Sequence, residues 1–221
     1  MNNQRIIFAG LFVGLAATFA NAADTATVVT QLPVTRASTL YVANRPPLSP
    51  SPLIKLPIGS ITPQGWLRHQ LELEADGMMG HLEEISPWCK FEGNAWTDPQ
   101  GKGSNGWEEV PYWIKGYGDL GYVLKNERIT NDAKRWLDAI FAAQAADGFF
   151  GPAGLRTNLK GKPDLWPHMP VLNALQSYYE FSGDERVITL MTRYFKWELA
   201  CPDADFITGS TLSINGGQHM Y

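Results

Sequence analysis

Cysteine is nearly absent from this sequence: only Cys89 and Cys201 occur. No CxxC, HExxH or other compact ligand spacing surrounds them, so the residues present specify no metal site. In an oxidising compartment the two could pair across a long loop, but separation along the chain says nothing about proximity, and both readings stand. An excess of one charge is also missing. Eighteen Lys and Arg against 22 Asp and Glu leave a net −4. The basic residues are scattered, without a patch interleaved with aromatics, which argues against nucleic acid or an anionic membrane surface as partner. The one long apolar run, 6–19, is Gly/Ala-rich and short of the roughly 20 residues that span a bilayer. That argues against stable membrane insertion, with a retained N-terminal anchor as the alternative.

What is present at the N-terminus has the grammar of an export signal. Asn2, Asn3, Gln4 and Arg5 form a short polar start, the apolar run follows, and Ala20-Asn21-Ala22 supplies a small-x-small cleavage site. Residues 1–22 therefore read as a signal peptide cleaved after Ala22, with the mature chain periplasmic or secreted. Residues 23–52 are a Pro/Ser/Thr-rich leader, since prolines at 46, 47, 50 and 52 forbid helix. The domain is expected over 53–221, its first apolar residues docking as a short strand.

From there the pattern is helical. Thr62 and Pro63 open a first helix with Trp66, Leu67, Leu71 and Leu73 on one face. A polar, Gly-rich stretch over 81–106 reads as a long surface loop. A second helix runs from Trp107 or Glu108 to about Leu124. A third is capped by Thr130 or Asn131 and covers 132–145, with Ala133, Trp136, Leu137, Ile140 and Phe141 at helical spacing. A fourth covers 170–181 and a fifth 184–199. Glu127-Arg128 and Glu185-Arg186 recur 58 residues apart within similar helix-turn-helix units, a period suited to stacked helical hairpins. The fold class is thus all-α. A closed ring of such hairpins needs about 300 residues, and Tyr221 shows no helix cap or charged tail. The chain reads as the N-terminal portion of a larger toroid, apparently truncated.

Three stretches in series carry a resemblance: "LPIGSITPQGWLRHQLELEADGMMGHLEE", "GWEEVPYWIKGYGDLGYVLKNERI" and "QAADGFFGP". Over 56–199 they resemble the opening of glycoside hydrolase family 127, the β-L-arabinofuranosidase-like proteins. The resemblance implies an (α/α)6 toroid in a secreted or periplasmic enzyme that trims plant-type or microbial glycans. It also implies a nucleophilic cysteine bound to zinc beside further cysteines and a glutamate, with another glutamate as acid/base, later in the ring than this chain reaches. Nothing here matches those residues. Zinc is thus implied for a longer enzyme only, and this chain supplies no catalytic residue and no cofactor site of its own. Two alternatives stay open: another (α/α)6 carbohydrate enzyme (an unsaturated uronyl hydrolase or polysaccharide lyase), or a non-catalytic glycan binder.

With a glycan as partner, the candidate substrate-binding residues are Gln144, Asp147, His168, Trp107, Glu108, Glu109 and Trp113. Gln144 and Asp147 resemble the family's Gln-x-x-Asp-Gly turn at the pocket rim, where an amide and a carboxylate can hold sugar hydroxyls; a helix-stop turn with Gly148 left-handed is the alternative. His168, just before an inner helix, resembles a sugar-facing histidine, or else is satisfied by backbone groups. Glu108 and Glu109 fall in a first helical turn, where the helix dipole alone favours them. They point about 100° apart, so only one can meet the aromatics; Glu109 is expected against Trp113 and Glu108 near the funnel mouth. Adjacent carboxylates cannot flank a glycosidic bond from both sides, so this stretch is pocket wall. His81, Glu83 and Glu84 read as a solvated rim, and Trp88 and Trp96 as either sugar platforms or core.

Overall fold

A computed structural model describes residues 55–201, together with Pro47. They fall in a compact unit assigned to 34–221. The expected signal peptide, the body of the expected leader and the start of the expected docking strand lie outside the described residues.

The described chain is helical: α1 (Gly65–Asp76), α2 (Leu82–Ile85, a single turn), α3 (Glu109–Leu124), α4 (Glu127–Ala142), α5 (His168–Ser182) and α6 (Arg186–Leu199). Short 3-10 turns occupy Met79–His81, Pro87–Cys89 and Ala153–Arg156. Among the described residues there is no strand, only isolated bridges at Asn94–Ser104 and Leu159–Lys162. The expected strand at the domain start is instead a strap: Lys55 donates to Glu180 Oε1 and the Ile58 amide to Oε2, which ties it to α5.

Sequence explains where the main helices begin and end. Lys125 adopts a left-handed conformation after α3, and the Asn126 carboxamide accepts the Ile129 amide at 3.2 Å. Asn126 is therefore the cap of α4, one turn earlier than Thr130 or Asn131. The tight turn works because Gly121 lets α4 approach: a Cβ there would stand 2.8 Å from Ile129 Cγ2. Gly183, at φ +69°, ends α5, and the Asp184 carboxylate accepts the Arg186 amide at 3.0 Å to open α6. The first helix departs further from expectation. It starts at Gly65 behind Gln64, without a side-chain cap, and Trp66, Leu67 and Leu73 are exposed, leaving Ala75 as its buried residue.

The helices form two layers. α3 packs most extensively on α5 and then on α4, while α4 also touches α6. α3 has ten buried residues and α4 five over the same length, so α3 and α5 form the inner layer and α4 and α6 the amphipathic outer one. This alternation of inner and outer helices is the construction of an (α/α) toroid. On α3, Val110, Trp113, Ile114, Tyr117, Gly121 and Leu124 are buried, while Glu108, Tyr112, Gly116 and Asp119 lie on the opposite side. On α5 the buried side holds Val171, Ala174, Leu175 and Tyr178, and Met169, Asn173 and Ser177 look the other way. The two open sides make one continuous inner face.

Candidate functional site

The upper end of that inner face is built by two loops that reach across to each other. Trp107 precedes α3, and its indole donates to Asp164 Oδ2 at 3.1 Å. Trp166 precedes α5, and its indole donates to Glu108 Oε2 at 2.5 Å. Each loop thus supplies a tryptophan to the other loop's carboxylate. With the N–H groups spent this way, both ring bodies remain in solvent, 44% and 49% exposed.

Asp164 is the anchor. It is 6% exposed. Its carboxylate also accepts from Asn158 Nδ2 at 3.3 Å and from the Trp166 amide at 3.2 Å, and its own amide donates to Leu155 O at 2.7 Å. A buried carboxylate is tolerated when hydrogen-bonded on both oxygens. Glu108 is only half-buried and keeps acceptor capacity towards solvent.

The core fixes the position of this mouth from behind. Trp96, fully buried, donates its indole N–H to Trp107 O at 2.9 Å. Trp96 also sits edge-on to His168, which lies in an aromatic cage of Phe149, Phe150 and Tyr194. The His168 ring is 1% exposed, and its Nε2 meets Phe150 O at 2.8 Å. A carbonyl only accepts, so Nε2 carries the proton, and Nδ1 is buried without a partner. Burial lowers its pKa to about 4. His168 therefore faces the core; the expected sugar-facing side chain is satisfied by backbone because its ring lies beneath the inner face.

Other expected residues are redistributed in the same way. Trp113, 5% exposed, stacks on Tyr117 at 4.9 Å and meets Trp136 of α4 edge-on at 5.3 Å. It belongs to the α4 side of α3, opposite the inner face. Glu109 shares that side, one turn away, with its Oε2 buried and unpartnered. Of the two glutamates, Glu108 is the one at the mouth. Gln144 donates to Gly148 O at 2.8 Å and Leu190 O at 3.0 Å. Asp147 accepts the Phe149 amide and a two-pronged pair from Arg156, at 2.7 and 3.0 Å, and the guanidinium holds its carboxyl below the usual range. Both residues therefore build the turn that ties α4 to α6, and Gly148 adopts φ +107° there.

The 78–92 segment behaves similarly. Glu83 accepts from Arg135 at 2.5 Å and Trp136 Nε1 at 3.1 Å, and His81 pairs with Glu84 at 2.6 Å. These contacts border a cleft of about 450 Å³ beside Trp113 and Tyr117. Trp96 is core, whereas Trp88 is 58% exposed.

Sequence reasoning missed Trp166, Asp164, Tyr112 and Met169. A signal for the first did exist: Trp107 and Pro111 recur as Trp166 and Pro170 at a spacing of 59, almost the 58-residue period of the Glu-Arg pairs. The mouth is the internal repeat brought face to face.

The zinc implied by the resemblance finds no donor set here. Among the described residues no three His, Cys, Asp or Glu side chains converge on a metal position. No disulfide joins Cys89 to Cys201, and burial raises the Cys89 thiol.

No curated protein and no solved structure matches the chain. The family described as β-L-arabinofuranosidase, GH127 catalytic domain, matches residues 56–207, which is 152 of 221 residues and includes every helix described above. With that match and its alternating inner and outer helices, the chain belongs to the GH127 family of glycoside hydrolases.

Proposed function

We propose that this chain forms the glycan-contacting wall of a β-L-arabinofuranosidase-type hydrolase, with the α3–α5 inner face against the substrate. The observation that carries the reading is the exposed Trp107–Trp166 pair, held by Asp164 and Glu108 at the end where both inner helices begin. Rigid, exposed indole faces beside a carboxylate acceptor match the two-sided chemistry of a sugar, with apolar C–H faces and hydroxyl edges.

In this reading the chain binds and orients. Glu108 accepts a sugar hydroxyl, the indoles exclude water from one sugar face, and the acid/base pair comes from outside the described residues. The test is titration of the 221-residue chain with methyl β-L-arabinofuranoside, following the tryptophan indole N–H resonances. The Trp107 and Trp166 signals should shift, and Trp166→Ala should abolish binding. An aryl β-L-arabinofuranoside should not be turned over. Turnover by this chain alone would overturn the placement of catalysis elsewhere, and unmoved mouth resonances would overturn the site. Export belongs to the same reading: the mature protein should begin at Ala23, as N-terminal sequencing of periplasmic or secreted material would record.

A further inference from the structure

Asn105 and Gly106 form the one Asn-Gly pair among the described residues, and the fold has a use for each of them. Asn105 adopts φ +56°, a left-handed conformation that asparagine tolerates better than most side chains. Its carboxamide nitrogen donates to Pro87 O at 2.9 Å and to Ser104 Oγ at 3.3 Å. Gly106 lies close against two neighbouring loops. A Cβ there would stand 3.0 Å from Pro152 Cβ and 3.2 Å from Ala95 Cβ, so a side chain at 106 would press on both. The pair leads directly into Trp107, whose carbonyl is held by the Trp96 indole.

The same two residues are reactive towards each other. Asn105 is partly exposed, and the Gly106 amide donates to no acceptor among the described residues. Gly106 has no Cβ to screen that nitrogen from the side-chain carbonyl carbon of Asn105. The other described asparagines differ on these points. Asn94 is 1% exposed. Asn131 and Asn173 lie within α4 and α5, where the next amide is spent on the helix ladder. The carboxamide of Asn126 caps α4, and the residue after it, Glu127, carries a side chain. Asn158 precedes Leu159, whose amide donates to Lys162 O at 3.0 Å.

We infer that Asn105 is a self-modification site of the folded protein, converting through a cyclic imide into aspartate and isoaspartate. Base removes the Gly106 amide proton, the nitrogen attacks Cγ of Asn105, and the Cγ–Nδ2 bond breaks with release of ammonia. Water then opens the imide. Cleavage between Cγ and the nitrogen leaves aspartate. Cleavage between the Asn105 backbone carbonyl carbon and the nitrogen leaves isoaspartate, with the main chain rerouted through the former side chain. One water enters and one ammonia leaves, and nothing is oxidised or reduced. Both products lose the donor to Pro87 O. Isoaspartate also lengthens the main chain by one carbon, two residues before Trp107. The pair thus sets a chemical lifetime on the geometry of the mouth.

The experiment is incubation of the folded 221-residue chain at neutral and at mildly alkaline pH, with peptide mapping by mass spectrometry at intervals. Isoaspartyl methyltransferase labelling of the same peptides identifies isoaspartate. Position 105 should gain the mass difference between an amide and an acid ahead of every other described asparagine. The gain should be faster at the higher pH, with isoaspartate among the products. Indole N–H spectra of the ageing chain should show a second Trp107 signal that grows with the isoaspartate fraction at 105. Asn105→Gly keeps the left-handed turn. Aged alongside, it should retain a single Trp107 signal, which separates position 105 from the chain's other Asn-Gly pair, Asn215-Gly216. Conversion at 105 in the urea-unfolded chain but not in the folded one would overturn the inference, because the hold of the carboxamide on Pro87 O would then block ring closure. Conversion that leaves the Trp107 signal unsplit, or a split that persists in Asn105→Gly, would overturn the link to the mouth. None of these readouts uses a sugar, so the outcome is independent of whether the mouth binds one.

Discussion

The imidazole of His168 lies flat against the phenol of Tyr194, ring centroids 5.0 Å apart and planes 18° from parallel. Four residues further along α6 is Glu198, 8% exposed. These two titratable groups make opposite demands on pH. Burial lowers the His168 pKa to about 4 and raises that of Glu198 to about 7. Both shifts favour the neutral form inside the fold.

For His168 the unfolded chain binds the proton first as pH falls. Its contribution is therefore complete above about pH 6.5 and is lost progressively towards pH 4, by about 3 kcal/mol at 1.36 kcal/mol per unit. His168→Phe keeps an aromatic ring in the cage and removes this acid sensitivity, at the constant cost of leaving Phe150 O without its donor. Urea unfolding from pH 4 to 8 should show the parent's stability relative to the variant falling by about 3 kcal/mol as the pH drops from 6.5 to 4. A parent-minus-variant difference that stays constant over that range would mean that the imidazole is not what resists protonation.

Glu198 has the reverse sign. Its folded form holds a proton that the unfolded chain has already released, so stability falls as pH rises from about 4.5 to 7 and stays low above. The expected penalty at pH 8 is about 2 kcal/mol, discounted because the residue stands near the end of α6. Glu198→Gln should stabilise the chain at pH 8 by about that amount and leave it nearly unchanged at pH 4. Between pH 4.5 and 6.5 the two slopes oppose, so the parent should be flatter with pH than either variant. A parent profile as steep as that of Glu198→Gln would contradict the pairing.

Arg156 connects the turn after α4 to the aromatic cage. Its guanidinium forks onto Asp147 and lies 4.2 Å from the Phe149 ring centroid. The pair is partly exposed, so Arg156→Ala is expected to cost about 1–2 kcal/mol, the sum of a modest ion pair and a cation–π contact. Arg156→Lys should recover less than half, because an ammonium cannot fork onto both carboxylate oxygens. Thermal melts of the three proteins at pH 7 decide it, and full recovery by lysine would show that geometry is not what the pair contributes.

Period and capping chemistry carried most of the fold in the sequence. The apolar positions of α4, from Ala133 to Ile140, repeat at helical spacing and are buried as read. The α4 start was displaced because Asn126, four residues before Thr130, offers the same oxygen behind a left-handed Lys125. The site was less legible for a different reason. Trp113, His168 and Trp166 are all aromatic residues near an inner-helix start, and composition cannot say which way each points. Direction is decided by packing partners distant in sequence. Trp136 holds Trp113 on the outer side, Phe150 holds His168 beneath, and Glu108, 58 residues away, holds Trp166 at the mouth.

The close approach of Gly151 to Trp96 tests whether the core sets the mouth. Gly151 has φ +87°, and a Cβ there would lie 2.5 Å from the Trp96 ring. Trp96 in turn holds Trp107 O through its indole N–H. Gly151→Ala must either strain the backbone or push the Trp96 ring, at a cost of about 3 kcal/mol or more. Gly154, three residues on in the 3-10 turn, has nothing within 4 Å of its would-be Cβ, so Gly154→Ala should stay within about 0.5 kcal/mol of the parent. Urea unfolding separates the two. If Gly151→Ala remains folded, its Trp107 indole resonance should move although the substitution lies on a different loop, because displacing Trp96 drags the carbonyl it holds. A stable Gly151→Ala with every indole signal in place would show that the mouth is set independently of the core beneath it.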